Sequence, residues 1–348
     1  MQTIVAPNNP TLGQAGAAAP ARRPLIVSGY WVSQMISVAA NLGLADLIDD
    51  APKTADELAV LTHAHAPSLH RLLRALVGGG LLTQLADGRF GLTPVGEQLR
   101  TTDARSQRSL ATLLGEEHYR AWGQLYDTVM TGNTAFDSVF GCSLFEYLEK
   151  TPRMAELFHA AMGEVVALIA PAVLRAYDFS DVSTLVDVGG GAGVLLSAIL
   201  TAHPRIHGIV YDSQAAVARA IRQLRNADLS ARGQAVEGNF FESVPGGADA
   251  YILRGVIHDW DDDRALVILG NCRQAMNGRG RLLLVEHVVP DGPEPSFSKL
   301  QDLDMLVMTG GRERSEAEYR ALLASAGFRL ARIVPTSAVV SVLEGFPI

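Results

Sequence analysis

Along the first half of this 348-residue chain apolar positions recur at helical spacing, and along the second half they gather into short runs divided by helical stretches. Leu25 to Ile48 is apolar but interrupted by Ser28, Gln34, Ser37, Asn41 and Asp46. That is too polar for an export or membrane segment and reads as amphipathic helix packed on another helix. Thr54-Ala-Asp-Glu57 is a capping box that opens a short helix, and Pro67 sits in the first turn of a second one ending at Gly78. Leu81 to Leu85 and Arg89 to Thr93 alternate about Asp87-Gly88, a hairpin signal. Helix, helix, hairpin predicts a winged helix-turn-helix. From Arg105 to Tyr177 the pattern is helical, with Trp122, Phe136, Phe140, Phe145, Tyr147, Phe158 and Met162 recurring along it.

Beyond that block, strands are predicted from Thr184, from Gly208 to Tyr211, Gln234 to Glu237, Ala248 to Leu253 and Arg281 to His287, with helices between them. Such alternation implies an α/β fold, a mostly parallel sheet covered on both faces. Two last strands, Arg329 to Pro335 and Ala338 to Glu344, are joined by a Thr336-Ser337 turn and must be antiparallel neighbours at one end of the sheet. The expected division is a disordered tail over 1–24, N-terminal helices and winged helix over 25–104, a helical linker and lid over 105–178, and the α/β domain over 179–348.

Composition narrows the picture. At 48% apolar and 19% charged residues the cores are well filled, and a formal charge of -8 disfavours a general nucleic-acid or anionic-membrane binder. Ala51 to Arg100 carries five Lys and Arg against four acids, a poor electrostatic footprint for DNA, so the winged helix is expected to be structural or dimerising. Cys142 and Cys272 lie far apart without metal-like spacing, which fits free thiols in a reducing cytoplasm.

The candidate chemistry centres on Asp187-Val-Gly-Gly-Gly-Ala-Gly193, where a strand meets a glycine turn and then a helix. Glycines crowd where backbone approaches a ligand, or where strand and helix merely pack closely. A dinucleotide fingerprint wants a third Gly or Ala where this chain has Val194 or Leu196, and no Lys follows as a P-loop requires. Asp187 beside the loop repels a pyrophosphate and welcomes a cation. Asp212, followed by Ser213, ends the next strand, where a ribose hydroxyl pair is usually held. Adenine and ribose with a positive, phosphate-free tail describes S-adenosylmethionine.

Ligands of open α/β sheets lie outside the carboxyl ends of the strands, which singles out Asn239 with Phe240, Arg254 to Trp260, and Glu286. His258 has the imidazole suited to removing a proton near neutral pH, although a lone His is often an ordinary hydrogen-bonded residue. Glu286 and Glu313 either pair with a nearby Arg or orient His258 and stabilise its imidazolium. Asp261, Asp262 and Asp263 resemble a metal cluster, but they precede a helix and are expected to cap it. Met162 belongs either to the helical core or to a pocket wall.

Leu185-Val-Asp-Val-Gly-Gly-Gly-Ala-Gly193, His258-Asp-Trp260, Val285-Glu286 and Gly310-Gly-Arg-Glu-Arg314 together resemble the S-adenosylmethionine-dependent small-molecule O-methyltransferases, over the chain from about Pro24 to its end. This group contains plant caffeate-type, hydroxyindole and bacterial polyketide-tailoring enzymes. The resemblance implies a class I methyltransferase domain of Rossmann-like type, with His258 as general base flanked by Glu286 and Glu313. It implies a homodimer intertwined through the N-terminal domain, and an acceptor pocket lined by Met162, Asp259, Trp260 and Met305, with Met308 nearby. Asn239 stands where the family usually has Asp, and Arg254 where it often has Lys.

The function expected is methylation of a phenolic or enolic hydroxyl of an aromatic or polyketide-type molecule, releasing S-adenosylhomocysteine, with no metal, nucleic acid or membrane involved. Two rivals stand beside it. One keeps the fold and cofactor for a hydroxylation, decarboxylation or pericyclic step, and the other is a winged-helix ligand-sensing transcription factor.

Overall fold

The computed structural model describes residues 27–276 and 278–348, so the expected tail over 1–24 lies outside the described residues. The apolar stretch after it forms two helices, α1 (Gly29–Asn41) and α2 (Leu44–Ile48), divided at Gly43, whose φ of +64° ends one helix and starts the next. Then come α3 (Ala55–Thr62) and α4 (Ala66–Gly78), followed by the antiparallel pair β1 (Leu82–Gln84) and β2 (Phe90–Leu92). The capping box is made: Thr54 Oγ1 accepts from Glu57 N, and the Glu57 carboxylate accepts from Thr54 N. These elements close on one apolar core that includes Leu44, Leu58, Leu73, Leu76 and Phe90.

The helical block resolves into α5 (Arg108–Gly115), α6 (Glu117–Trp122), α7 (Leu125–Thr131), α8 (Ala135–Phe140), α9 (Leu144–Lys150) and α10 (Pro152–Ala176). Helix α10 is long and apolar enough to cross a membrane by length and composition alone. Its C-terminal half instead delivers Ile169, Ala170 and Val173 to the core beneath the sheet.

The α/β domain runs β3 (Thr184–Val188), α11 (Val194–Ala202), β4 (His207–Asp212), α12 (Gln214–Asn226), β5 (Gly233–Glu237), β6 (Ala250–Arg254), α13 (Asp262–Met276), β7 (Arg281–Glu286), β8 (Val288–Val289), α14 (Phe297–Met308), β9 (Arg314–Ser315), α15 (Glu316–Ser325), β10 (Phe328–Pro335) and β11 (Ser341–Pro347). The main sheet has the order β10-β11-β7-β6-β3-β4-β5. Strands β3 to β7 are parallel, while β11 is antiparallel to both β10 and β7. One core cluster lies on each face of this sheet. Chain order reverses between β3 and β6, so the crevice for a ligand opens above their carboxyl ends.

Two local expectations need correction. Strand β11 begins at Ser341 instead of Ala338, because 336–340 is a loop closed by the Thr336 hydroxyl, which donates to Val340 O at 2.6 Å and accepts from Ala338 N at 3.0 Å. Helix α13 begins at Asp262; Asp261 does cap it, accepting from Arg264 N at 2.9 Å, but Asp262 has a different partner, the buried Arg314.

Candidate active site

Gly189, Gly191 and Gly193 follow β3 with φ of +69°, +57° and +73°, a region that L side chains rarely adopt. Their roles differ. A methyl group on Gly189 would lie 2.7 Å from Val256 Cγ2, and one on Gly193 would lie 2.9 Å from Val210 Cγ2, so close packing alone demands these two. Gly191 has nothing within 4 Å of that position, and its N–H donates to Asp212 Oδ2 at 2.8 Å. It is the glycine that presents open backbone.

Asp187, at the end of β3, is buried, and its Oδ2 has no hydrogen-bond partner among the described residues. Burial, reinforced by the charge of Asp212, pushes its carboxyl up to about 7. Asp212 also accepts from the N–H of Ser213, the residue before α12, at 2.6 Å. Phe240 brings its ring edge to Gly189 and packs on Phe241. Asn239 is engaged within its own loop: its Oδ1 accepts from Phe241 N at 3.0 Å and its Nδ2 donates to Glu242 Oε1 at 3.0 Å. Arg254 ends β6, with Nε buried and unpartnered among the described residues. Burial lowers its pKa against the charges of Glu286, Asp259, Glu313 and Asp187.

His258 lies in a short 3-10 turn, Ile257–Asp259, just past β6. Its Nδ1 is 2.7 Å from Glu313 Oε1 and 3.6 Å from Glu286 Oε2, and its Nε2 is 3.8 Å from Asp259 Oδ1. Both glutamate side chains are fully buried. An ionised carboxylate can only accept, so Nδ1 carries the hydrogen and Nε2 of the neutral ring is left with the lone pair. Glu286 is held in turn, its Oε1 accepting from Val256 N at 3.1 Å and Ile257 N at 3.0 Å. Burial disfavours the imidazolium, but Glu286, Asp259 and Glu313 outweigh it and lift His258 to about 10. Burial likewise raises Glu286 and Asp259, against the pull of His258. His258, Glu286 and Glu313 also place ligand-type atoms within 4.8 Å of one another, a spacing that suits a metal as well as a shared proton.

Trp260 stacks on Phe145 with centroids 5.2 Å apart and meets Phe241 edge-on at 4.8 Å. Met308 is buried in the apolar cluster against which Met162, Trp122 and Phe158 pack, and Met305 is buried on the same helix, α14. The expected catalytic groups therefore converge, while Met162 packs against the core of the helical block.

Two contributors were legible only as members of longer runs, Val256 within Arg254 to Trp260 and Phe145 among the recurring aromatics, and two, Asp302 and Asp304, were missed. Val256 packs over Gly189, and Phe145 backs Trp260. Asp302 accepts from Glu313 N at 2.9 Å, and Asp304 accepts from both His118 Nε2 at 2.8 Å and Trp122 Nε1 at 2.6 Å. No local pattern marks these residues, because their partners are distant in sequence.

Two family models match the chain: an O-methyltransferase domain over residues 122–329 and an O-methyltransferase dimerisation domain over 25–102. The chain is 45% identical to the phenazine O-methyltransferase PhzM of Lysobacter antibioticus, over 93% of its own length and 95% of the relative's. The crystal structure of LaPhzM matches with a TM-score of 0.92 at 44% identity, covering 94% of this chain and 99% of that one. The O-methyltransferase NcsB1 from neocarzinostatin biosynthesis, solved with S-adenosylhomocysteine and 1,4-dihydroxy-2-naphthoic acid, matches with a TM-score of 0.80 at 36% identity, covering 96% and 100%. With both of its domains matched and this breadth of identity, the chain belongs to the O-methyltransferase family and uses S-adenosylmethionine.

Proposed function

We propose that this enzyme methylates a phenolic or enolic hydroxyl of an aromatic or polyketide-type small molecule in natural-product tailoring, with His258 as the base. The observation that carries the reading is the 2.7 Å contact of His258 Nδ1 with buried Glu313, with Glu286 3.6 Å away, at the ligand-facing end of the sheet. The relatives named above, a phenazine O-methyltransferase and an enzyme solved with a dihydroxynaphthoic acid, support an aromatic acceptor.

The crevice fits the methyl donor. Asp187 offers a buried carboxylate oxygen without a partner, and Gly191 offers open backbone, in a place where Asp187 and Asp212 together would repel a pyrophosphate. Asp187, Gly189, Gly191, Gly193, Asp212, Ser213, Asn239, Phe240 and Arg254 would hold S-adenosylmethionine, which when bound supplies an electrophilic methyl group. On the acceptor side, Met162, Asp259, Trp260, Met305 and Met308 would form the walls.

The protein's own part is to manage one proton. The Nδ1–H to Glu313 contact fixes the tautomer, so Nε2 is the atom that meets the acceptor hydroxyl. A histidine lifted to about 10 is matched to a phenol that itself titrates near about 10, so the proton passes between them near balance. In the free protein at neutral pH the ring already holds a second proton, which it gives up to solvent before turnover; the neutral Nε2 then takes the hydroxyl proton as the acceptor oxygen attacks. A hydroxylating or decarboxylating enzyme has no evident use for this base, which counts against that rival.

The test is turnover with labelled methyl donor. His258→Ala is expected to lose roughly 10²–10⁴-fold in kcat while the donor Kd stays within about two-fold of the parent. Near-full turnover with normal donor binding would remove His258 from the mechanism. Release of S-adenosylhomocysteine in step with product, and activity that survives dialysis against a chelator, are expected of the parent enzyme.

We further propose residues 25–104 as the dimerising domain, 105–178 as a lid and 179–348 as the catalytic domain; the first has its own apolar core, while the other two share theirs, Met308 entering the helical block and Ile169 and Val173 the sheet core. Tyr30, Trp31 and Val38 on α1 and Tyr126, Val129 and Met130 on α7 are exposed apolar groups suited to burial against a second copy. The free thiols of Cys142 and Cys272 suit a cytoplasmic setting.

A further inference from the structure

Arg314 has 1% of its surface exposed, the largest side chain among the fully buried ones, and the proton chemistry above makes no use of it. Its guanidinium Nη1 donates to Ile257 O at 3.2 Å and to Arg312 O at 3.4 Å. Nη2 donates to Trp260 O at 3.0 Å and to Asp262 Oδ1 at 2.7 Å, and Nε donates to the same Asp262 oxygen at 3.0 Å. The carbonyls it takes from the turn, those of Ile257 and Trp260, bracket His258.

That turn does little to hold itself. Its internal bonds, Asp259 N to Val256 O and Trp260 N to Ile257 O, are both 3.3 Å long. Its geometry is imposed from two sides. Glu286 takes the N–H groups of Val256 and Ile257, and the segment 311–314 takes the carbonyls, with Arg312 N donating to His258 O at 2.8 Å. Gly311 lets the two segments touch, since a methyl group there would lie 2.1 Å from His258 O. Between Arg312 and Arg314 stands Glu313, whose carboxylate orients the imidazole. One short segment thus fixes both the backbone that carries the ring and the ring itself.

We infer that Arg314 is a positioning residue: its planar fork holds the His258 turn so that Nε2 is presented to the acceptor oxygen. A buried guanidinium is costly to desolvate, and an apolar side chain would fill the same space more cheaply. What only the fork supplies is several donors at fixed angles, which Lys lacks. The inference rests on His258 being the base, because Arg314 touches no reacting atom. Misplacing a reacting group by about 1 Å is enough to cost roughly 10²-fold in rate.

The experiment is steady-state kinetics on Arg314→Lys and Asp262→Asn, each in the parent and in the His258→Ala background, with melting curves and pH–rate profiles. Arg314→Lys is expected to lower kcat about 10- to 100-fold while the donor Kd and acceptor KM stay within about three-fold. The charged groups that set the His258 titration are Glu286, Asp259 and Glu313, and His287 is also coupled to it. Loosening the Glu313 contact withdraws support from the imidazolium, so the limb of the profile set by His258 should move to lower pH. In the His258→Ala background Arg314→Lys should change the residual rate less than about two-fold. Asp262, whose side chain is 56% exposed, can be altered without opening the core; Asp262→Asn should lower kcat a few-fold with an unchanged melting point. Should Arg314→Lys fail to fold, that variant decides alone, and an unchanged kcat overturns the inference. So does an Arg314→Lys enzyme with parental kcat and profile, or one that loses the same factor with and without His258. Near-full turnover by His258→Ala itself would instead sink the base reading, and this inference with it.

Discussion

Gly193 shows how one position can serve fold and site together. Its φ of +73° and the 2.9 Å approach of Val210 Cγ2 to an added methyl group make Gly193→Ala unfavourable on both backbone and packing grounds. A forced left-handed conformation costs about 1–2 kcal/mol, and relief by shifting the loop would move the backbone of Gly191. We therefore expect Gly193→Ala to lower the melting point and to weaken donor binding by roughly tenfold or more. Calorimetric titration with S-adenosylhomocysteine checks this, and an affinity equal to the parent's would mean that the loop does not contact the ligand. Asp187 and His258 illustrate the other side of burial. The Asp187 carboxyl, buried near a second acid, is driven toward neutrality, whereas His258, buried among acids, is driven toward charge.

Among the elements, the long helix α10 ties the helical block to the core beneath the sheet. Glu164, midway along it, accepts from Ser109 N and Leu110 N at 3.0 Å each, so a carboxylate from α10 caps the start of α5 from 55 residues away. Caps of this kind, favoured by the helix dipole, contribute about 0.5–2 kcal/mol. Glu164→Ala is expected to lower stability by about that amount and to raise the acceptor KM more than the donor Kd, because Met162, proposed above for the acceptor wall, lies two positions away on α10. Denaturant melts and separate titrations of the two substrates decide the point; equal effects on both would show that the cap stabilises without shaping the acceptor wall. Helix α14 is joined to α6 in a comparable way, through Asp304 with His118 and Trp122.

For the molecule as a whole, the His258 cluster makes stability depend on pH in an unusual direction for an acid-rich protein. His258 in the folded state is raised to about 10 from an ordinary value of 6.5, so its contribution is fully present below about 6.5 and is lost as pH rises through the folded value. Burial of His159 acts oppositely but on the acid side, since its folded value falls to about 4 and its penalty appears only below about 6.5. Between pH 7 and 10 the His258 effect stands clear of it. The melting point of the free protein should fall by several degrees across that window, each shifted unit being worth about 1.4 kcal/mol. His258→Asn should flatten the slope; a slope that persists in the variant would assign it to other groups.

Much of this architecture was legible in the residues. The capping box at Thr54, the Pro67 helix start, the Asp87-Gly88 hairpin and the alternation of strands and helices all rest on interactions within a few positions, and local chemistry suffices to announce them. The same holds for naming Asp187, the glycines, Asp212, His258, Glu286 and Glu313, because each falls at a strand end or in a compact motif. Local chemistry was not enough at 336–340, where a threonine side chain closed a longer loop than the turn residues announced. Nor could it separate the glycines, since the neighbours that demand Gly189 and Gly193, Val256 and Val210, come from other strands and turns. Two of the three carboxylates that charge His258 come from 28 and 55 residues downstream, and the guanidinium that holds its turn from 56. Distances of that kind are set by sheet order and packing, so composition and periodicity name the groups while only the folded chain decides which of them meet.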